Sequence, residues 1–91
     1  MKKNLFSSLL PQYIQVFLLA YDLHSFTRVA ETLGITQPAV SKKIAELENE
    51  LGFDLFVRNS RPIAVTPEAR VVHDYLMQHI GDFRSLVESL Q

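Results

Sequence analysis

The chain has 91 residues, 47% of them hydrophobic, with nine Lys and Arg against ten Asp and Glu and no cysteine. That length suits one domain, and the apolar share is too high for a disordered tail; the missing cysteine excludes a disulfide framework, a thiolate metal site and a cysteine nucleophile. A formal charge of −1 is not the surplus of a protein that grips a polyanion by bulk charge, so any nucleic-acid function must rest on where individual groups sit.

Turn and break residues fall at Pro11, Gly34, Pro38, Gly52, Pro62, Pro67 and Gly81. The opening Met1-Lys2-Lys3 leads into Asn4, a short apolar pair, Ser7-Ser8 and Pro11, and so lacks the apolar middle of an export signal. No run approaches the ~20 apolar residues of a membrane span. These features point to a soluble, cytoplasmic chain without membrane association.

Leu10, Ile14, Phe17, Leu18 and Tyr21 recur at helical spacing and predict a first helix over about 11–23 with these residues as its buried face. Ser25 is a suitable N-cap for a second, short helix with Phe26, Val29, Ala30 and Leu33 inward, and Gly34 supplies the left-handed residue that ends it. Thr36 caps a third helix, with Pro38 tolerated in the first turn, where N–H groups have no intrahelical partner. Its narrow apolar stripe is Val40, Ile44, Leu47 and Leu51, and Gly52 stops it. Two such helices joined by Gly34-Ile35-Thr36 are a helix-turn-helix arrangement.

The period then changes. Phe53, Leu55 and Val57 alternate with Asp54, Phe56 and Arg58, and Ile63 and Val65 alternate with Ala64 and Thr66, with turn residues Asn59-Ser60-Arg61-Pro62 between. A two-stranded hairpin is expected. Thr66 and Pro67 open a last helix in which Val72, Leu76, Ile80, Phe83, Val87 and Leu90 approach a heptad seam. Helical rise of ~1.5 Å per residue makes this helix too long for so small a domain to cover, so the seam is expected to face a second copy of the chain.

On the third helix, Pro38, Lys42, Ala45 and Asn49 point away from the apolar stripe, and Gln37 and Ser41 flank its leading end. An amide, a hydroxyl and an ammonium beside small Ala39 and Ala45 are groups that read base edges, since Gln pairs with adenine, Lys donates to guanine and alanine meets a thymine methyl. Helix N-terminal N–H groups also suit phosphate. The plainer alternative is an ordinary solvated face. At the hairpin tip, Arg58 and Arg61 are placed to reach a minor groove or phosphates, unless Arg58 pairs with a carboxylate such as Asp54 or Glu50.

The run Phe17-x-x-Ala20-Tyr21-x-x-x-Ser25-Phe26-Thr27-Arg28-Val29-Ala30-Glu31-x-Leu33-x-Ile35-x-Gln37-Pro38-Ala39-Val40-Ser41 resembles the LysR-type transcriptional regulators. It continues through Lys42-x-Ile44-x-x-Leu47-Glu48-x-x-Leu51-Gly52-x-x-Leu55-Phe56-x-Arg58 to Thr66-Pro67. The resemblance implies a mainly α, winged helix-turn-helix fold over residues 1–66, with three helices and a two-stranded β wing. A linker helix over 67–91 then dimerises through Val72, Leu76, Ile80, Phe83, Val87 and Leu90. It places the family's DNA-contacting positions on Gln37, Pro38, Ser41, Lys42 and Arg61. Together with the residues singled out above, the expected DNA-binding set is Ser25, Thr36, Gln37, Pro38, Ala39, Ser41, Lys42, Arg58 and Arg61.

The expected partners are a pseudo-palindromic double-stranded operator and a second copy of the chain, without metal or cofactor. In the family's full-length form dimers pair into tetramers, and a small-molecule inducer would bind an effector domain outside this chain. An isolated DNA-binding part is therefore expected rather than a natural short form. Four positions depart from the family pattern: Lys42 for arginine, which replaces a planar fork by a point charge, His24 for glycine, Val29 for alanine and Ala69 for glycine. His24 leaves the geometry of the turn before Ser25 open.

Three rival functions are weaker. Catalysis would need a constellation, yet His24, His73 and His79 fall on separate surfaces with no nucleophile elbow or Gly-rich loop. His73 and His79, six residues apart, face different sides of a helix and make a poor metal pair. A winged helix used only for protein contacts would turn an apolar or aromatic face outward, not Gln37, Ser41, Lys42 and Asn49. A dimerisation module driven by the last helix alone would leave that polar face without a role.

Overall fold

The computed structural model describes residues 10–91, with side chains from residue 12 onward. The opening segment read for an export signal, and the Leu10 side chain assigned to the first apolar stripe, lie outside the described residues. Among those described, the order is α1 (Leu10–Leu23), α2 (Phe26–Leu33), α3 (Gln37–Leu51), β1 (Phe56–Val57), β2 (Ala64–Val65) and α4 (Pro67–Leu90). None of these helices is long and apolar enough to cross a membrane.

The helix ends are those the local chemistry requires. Ser25 Oγ accepts from the Arg28 N–H at 3.2 Å, and Gly34 closes α2 at φ 68° with its N–H on Ala30 O. Thr36 Oγ1 accepts from the Ala39 N–H, and Gly52 ends α3 at φ 83°. Thr66 Oγ1 accepts from the Ala69 N–H to start α4. Each side-chain cap satisfies a backbone donor that the first turn leaves without a partner, and each glycine N–H satisfies a last-turn carbonyl.

Phe26, Val29 and Ala30 of α2, and Val40, Ile44 and Leu47 of α3, meet in one core with Phe17 of α1 and Leu55 and Phe56 beside the wing. The expected inward faces of α2 and α3 are observed. The face of α1 is different: Tyr13, Val16, Phe17 and Ala20 are buried, whereas Ile14, Leu18 and Tyr21 are only half-buried, the last two at the core's edge. Because α1 is apolar almost all round, spacing alone selects no unique stripe, and packing against α2 and α3 does. Phe17 lies against Phe56 and Tyr21 at ring-centroid distances of 5.9 and 6.0 Å, and Phe56 meets Phe26 edge-on at 5.6 Å.

Tyr13 at the α1 face donates to Glu46 Oε2 at 2.9 Å, with the Lys43 ammonium 5.3 Å from its ring centroid. That hydrogen bond to the carboxylate, helped by burial and by the adjacent negative charge, raises the Tyr13 phenol above its ordinary value.

The hairpin is shorter than the alternating pattern predicts. The strands have two residues each, paired antiparallel as Phe56 with Val65 and Val57 with Ala64. Phe53, Leu55 and Val57 do not share a buried face: Leu55 and Phe56 are buried in succession, while Phe53 and Val57 are exposed. The physical reason is Glu48, whose carboxylate takes both consecutive amide N–H groups, Leu55 at 2.6 Å and Phe56 at 3.2 Å. In that bracket the Leu55 N–H is taken by a side chain, while the Leu55 carbonyl still accepts the Thr66 N–H at 3.0 Å across the hairpin.

Helix α4 runs through Gly81 without a break. Its first turns belong to the core, with Ala69 fully buried and Val72 and Leu76 half-buried against it. The expectation that the chain leaves the whole seam uncovered is corrected accordingly. The uncovered part begins at Ile80 and includes Phe83, Val87 and Leu90.

Candidate nucleic-acid interface

One concave surface joins three elements. The α1–α2 turn and the first turn of α2 supply His24, Ser25 and Thr27; the leading part of α3 supplies Gln37 and Ser41; the wing supplies Arg58, Ser60 and Arg61. No carboxylate lines it. The chain's formal charge of −1 therefore hides a cleft whose charged groups are cationic.

The cap at Thr36 starts α3, and Val40 and Ile44 lock the helix inward with no exposed surface. Gln37, Pro38 and Lys42 are consequently exposed on the opposite side, and Ala39 and Ser41 are half-buried on its flanks. The outward residues Ala45 and Asn49 are likewise exposed. Gln37 and Ser41 line the cleft; Lys42 lies on the exposed face outside it. Ser25 lines it too, with its oxygen already accepting the Arg28 N–H, which leaves its hydroxyl proton free to donate.

The two wing arginines have different surroundings. Arg61 is exposed, and among the described residues no carboxylate pairs with it. Arg58 places Nη2 2.6 Å from Glu48 Oε1 and its guanidinium 5.7 Å from the Phe26 ring centroid. Its carboxylate partner is thus Glu48, not Asp54 or Glu50. Arg58 still lines the cleft and is 39% exposed along its side chain.

Three residues do structural work at this surface that the sequence did not assign to them. Glu48, only 6% exposed, joins α3 to the start of the wing through Leu55, Phe56 and Arg58. Its signal was a carboxylate one helical turn beyond Ile44, on the apolar face. Ser60 accepts from the Ala64 N–H and lies within 3.0 and 3.1 Å of the Val57 and Pro62 carbonyls, clamping the wing tip. His24, whose turn the departure from glycine left open, adopts a left-handed φ of 53° and places Nδ1 2.9 Å from Ile63 O.

The other histidines are separated along α4. His73 stacks on Tyr21 at 3.9 Å and contacts Asp74, while His79 stacks on Tyr75 and bonds its carbonyl. Among the described residues, no three His, Asp or Glu side chains group as metal ligands.

A polar helix lead, held beside a short β wing on a three-helix core, defines the winged helix-turn-helix class. A family model described as bacterial regulatory helix-turn-helix protein, lysR family, matches residues 11–70, and the chain belongs to that family. It is 34% identical over 76 residues to the transcriptional regulator BenM of Acinetobacter baylyi, covering 84% of this chain and 25% of BenM. It is 35% identical over 81 residues to the RuBisCO operon transcriptional regulator of Allochromatium vinosum, covering 86% and 27%. The chain thus spans about a quarter of the length of these relatives.

Among solved structures, a BenM_DBD complex with catB site 1 DNA superposes with a TM-score of 0.74 at 34% identity, covering 85% of this chain and 86% of that one. Full-length BenM gives 0.73 at the same identity, covering 85% and 25%. Vibrio fischeri DarR in complex with DNA gives 0.74 at 25% identity, covering 97% and 28%. These relatives are transcriptional regulators, not enzymes.

Proposed function

We propose that this chain binds double-stranded DNA sequence-specifically as a homodimer and is the operator-reading part of a longer LysR-type regulator. The observation that carries this is the carboxylate-free cleft, in which Gln37 and Ser41 face the same space as Arg58 and Arg61. In this reading residues 36–42 enter the major groove, with Gln37, Ser41 and Lys42 offering groups to base edges and Pro38 and Ala39 offering apolar contact. Ser25, Thr36, Arg58 and Arg61 meet the phosphates or the adjacent minor groove.

Residues 1–66 form the DNA-reading unit and residues 67–91 the linker helix, whose uncovered apolar positions Ile80, Phe83, Val87 and Leu90 form the seam toward a second copy, with Val72 and Leu76, half-buried against the core, at its inner end. Supporting this is the run from Ile80 onward that the chain's own core leaves uncovered. Two copies related by a two-fold axis require a pseudo-palindromic operator. The inducer site and the contacts that pair dimers into tetramers belong to a domain outside this chain. The protein works in the cytoplasm, where the DNA is; the absence of a membrane-crossing helix among the described residues agrees.

Selection of bound duplexes from a random library tests DNA binding, symmetry and specificity together. On the selected duplex, Gln37→Ala or Ser41→Ala is expected to weaken binding by about 1–3 kcal/mol while leaving random-sequence affinity nearly unchanged. Equal loss on both duplexes would remove these side chains from base reading. Arg61→Ala is expected to lower the slope of log K against log salt by roughly one per protomer. A slope that stays put would mean that this arginine does not touch the backbone.

A further inference from the structure

The cleft contains one ionisable ring that the DNA-binding set above does not use. We propose that His24 is a phosphate contact whose charge makes DNA binding pH-dependent: its ring, protonated at Nε2, donates to a backbone phosphate of the duplex beside Arg61. This rests on the DNA-binding function proposed above.

The geometry carries the assignment. His24 sits at φ 53°, a conformation usually left to glycine, and its Nδ1 lies 2.9 Å from Ile63 O. A carbonyl only accepts, so Nδ1 carries the proton and donates it. The ring atom that gains or loses a proton is then Nε2. Neutral, Nε2 offers a lone pair, which repels a phosphate oxygen; protonated, it offers an N–H and a positive charge. Adding that proton leaves the bond to Ile63 intact, so the charge changes without releasing the wing.

The surroundings favour an anion. From the wing, Arg61 lines the same cleft, as does Arg58, whose charge is offset by Glu48 of α3. The neighbouring hydroxyls of Ser25 and Ser41 add donors. Asp22 precedes the ring by two residues on α1, and Arg28 follows on α2; neither lines the cleft, and no residue of α4 does. A phosphate beside His24 and Arg61 is held better by the charged ring than by the neutral one, so protonation and DNA binding favour each other.

Phosphate contacts do not depend on sequence, so the test uses a mixed-sequence duplex of about 30 base pairs, long enough for two half-sites. Binding by wild type, His24→Gly and His24→Asn is measured by fluorescence anisotropy at constant ionic strength between about pH 8 and pH 5.5, the range in which imidazole changes charge. Both substitutes tolerate the left-handed backbone, and circular dichroism confirms that they fold. His73 and His79 are present in all three proteins, so their contribution cancels in the comparison.

Wild type is expected to tighten on acidification about fivefold to tenfold more than either variant for each ring that gains charge, and to show a steeper salt dependence at the lower pH only. Parallel pH curves in the three proteins would overturn the proposal, including the case in which the variants bind more weakly at every pH, which would make His24 a wing tether alone. A rise in wild-type affinity matched by inorganic phosphate binding at the same phosphate concentration would also overturn it, by removing the duplex from the explanation. No binding of the duplex by wild type at either pH would sink the DNA-binding function itself.

Discussion

Replacing Glu48 by alanine should destabilise the domain by about 3 kcal/mol, more than any other single change at this surface. The carboxylate accepts from the buried amides of Leu55 and Phe56 and from Arg58. Truncation leaves two donors without partners, and each unsatisfied buried N–H costs about 1–3 kcal/mol. Arg58 adds little, because its partly exposed guanidinium turns to water. For a domain of this size that loss lowers the melting temperature by about 15 °C. Glu48→Gln keeps one acceptor and the side-chain shape and should cost much less. Arg58→Ala should also be mild, since the carboxylate keeps both amides. Thermal denaturation of the three variants checks the order. A Glu48→Ala protein as stable as Arg58→Ala would mean that water replaces the carboxylate and that the bracket does not set the wing.

Phe83→Asp is expected to give a folded monomer and to reduce affinity for a duplex carrying two half-sites by about 100-fold or more, through loss of effective concentration. Phe83 is 67% exposed in the single chain, so the carboxylate meets water there and the fold of the monomer is untouched. In a dimer the same carboxylate would be buried in the seam without a cation, which costs several kcal/mol per copy. Ile80→Asp, closer to the core, tests the neighbouring turn. Sedimentation equilibrium reads the oligomeric state, and helical content by circular dichroism guards against unfolding. An intact dimer carrying Phe83→Asp would move the interface elsewhere on α4, for instance to the exposed Val71, Tyr75 and Leu86.

The two substitutions differ in how far they could be anticipated. The run from Ile80 to Leu90 is visible as a periodic pattern on a helix too long for its domain. Its limit is not visible, because Val72 and Leu76 share the same spacing yet pack on the chain's own core. Glu48 reads on paper as one acid among several on the C-terminal half of α3. Its place one turn beyond Ile44 puts it on the apolar face, unlike exposed Glu46 and Glu50, but only the arrival of Leu55 and Phe56, whose amides need an acceptor, decides what that carboxylate does there. The polar leading face of α3, proposed above to read bases, was legible for the opposite reason: Val40 and Ile44 define the inward side of one helix, and the positions of Gln37, Pro38, Ser41 and Lys42 follow from helical geometry.

Short-range chemistry is therefore what the order of residues settled alone. Ser25, Thr36 and Thr66 each cap an amide three residues ahead, and Gly34 and Gly52 end helices at positive φ; these choices need no distant neighbour. Folding in three dimensions decided which side of the nearly all-apolar α1 turns inward, where the wing begins, which acid Arg58 meets, and that His24 reaches Ile63. Each joins residues far apart in the chain or selects among equivalent local solutions, so its free energy exists only once the elements have packed.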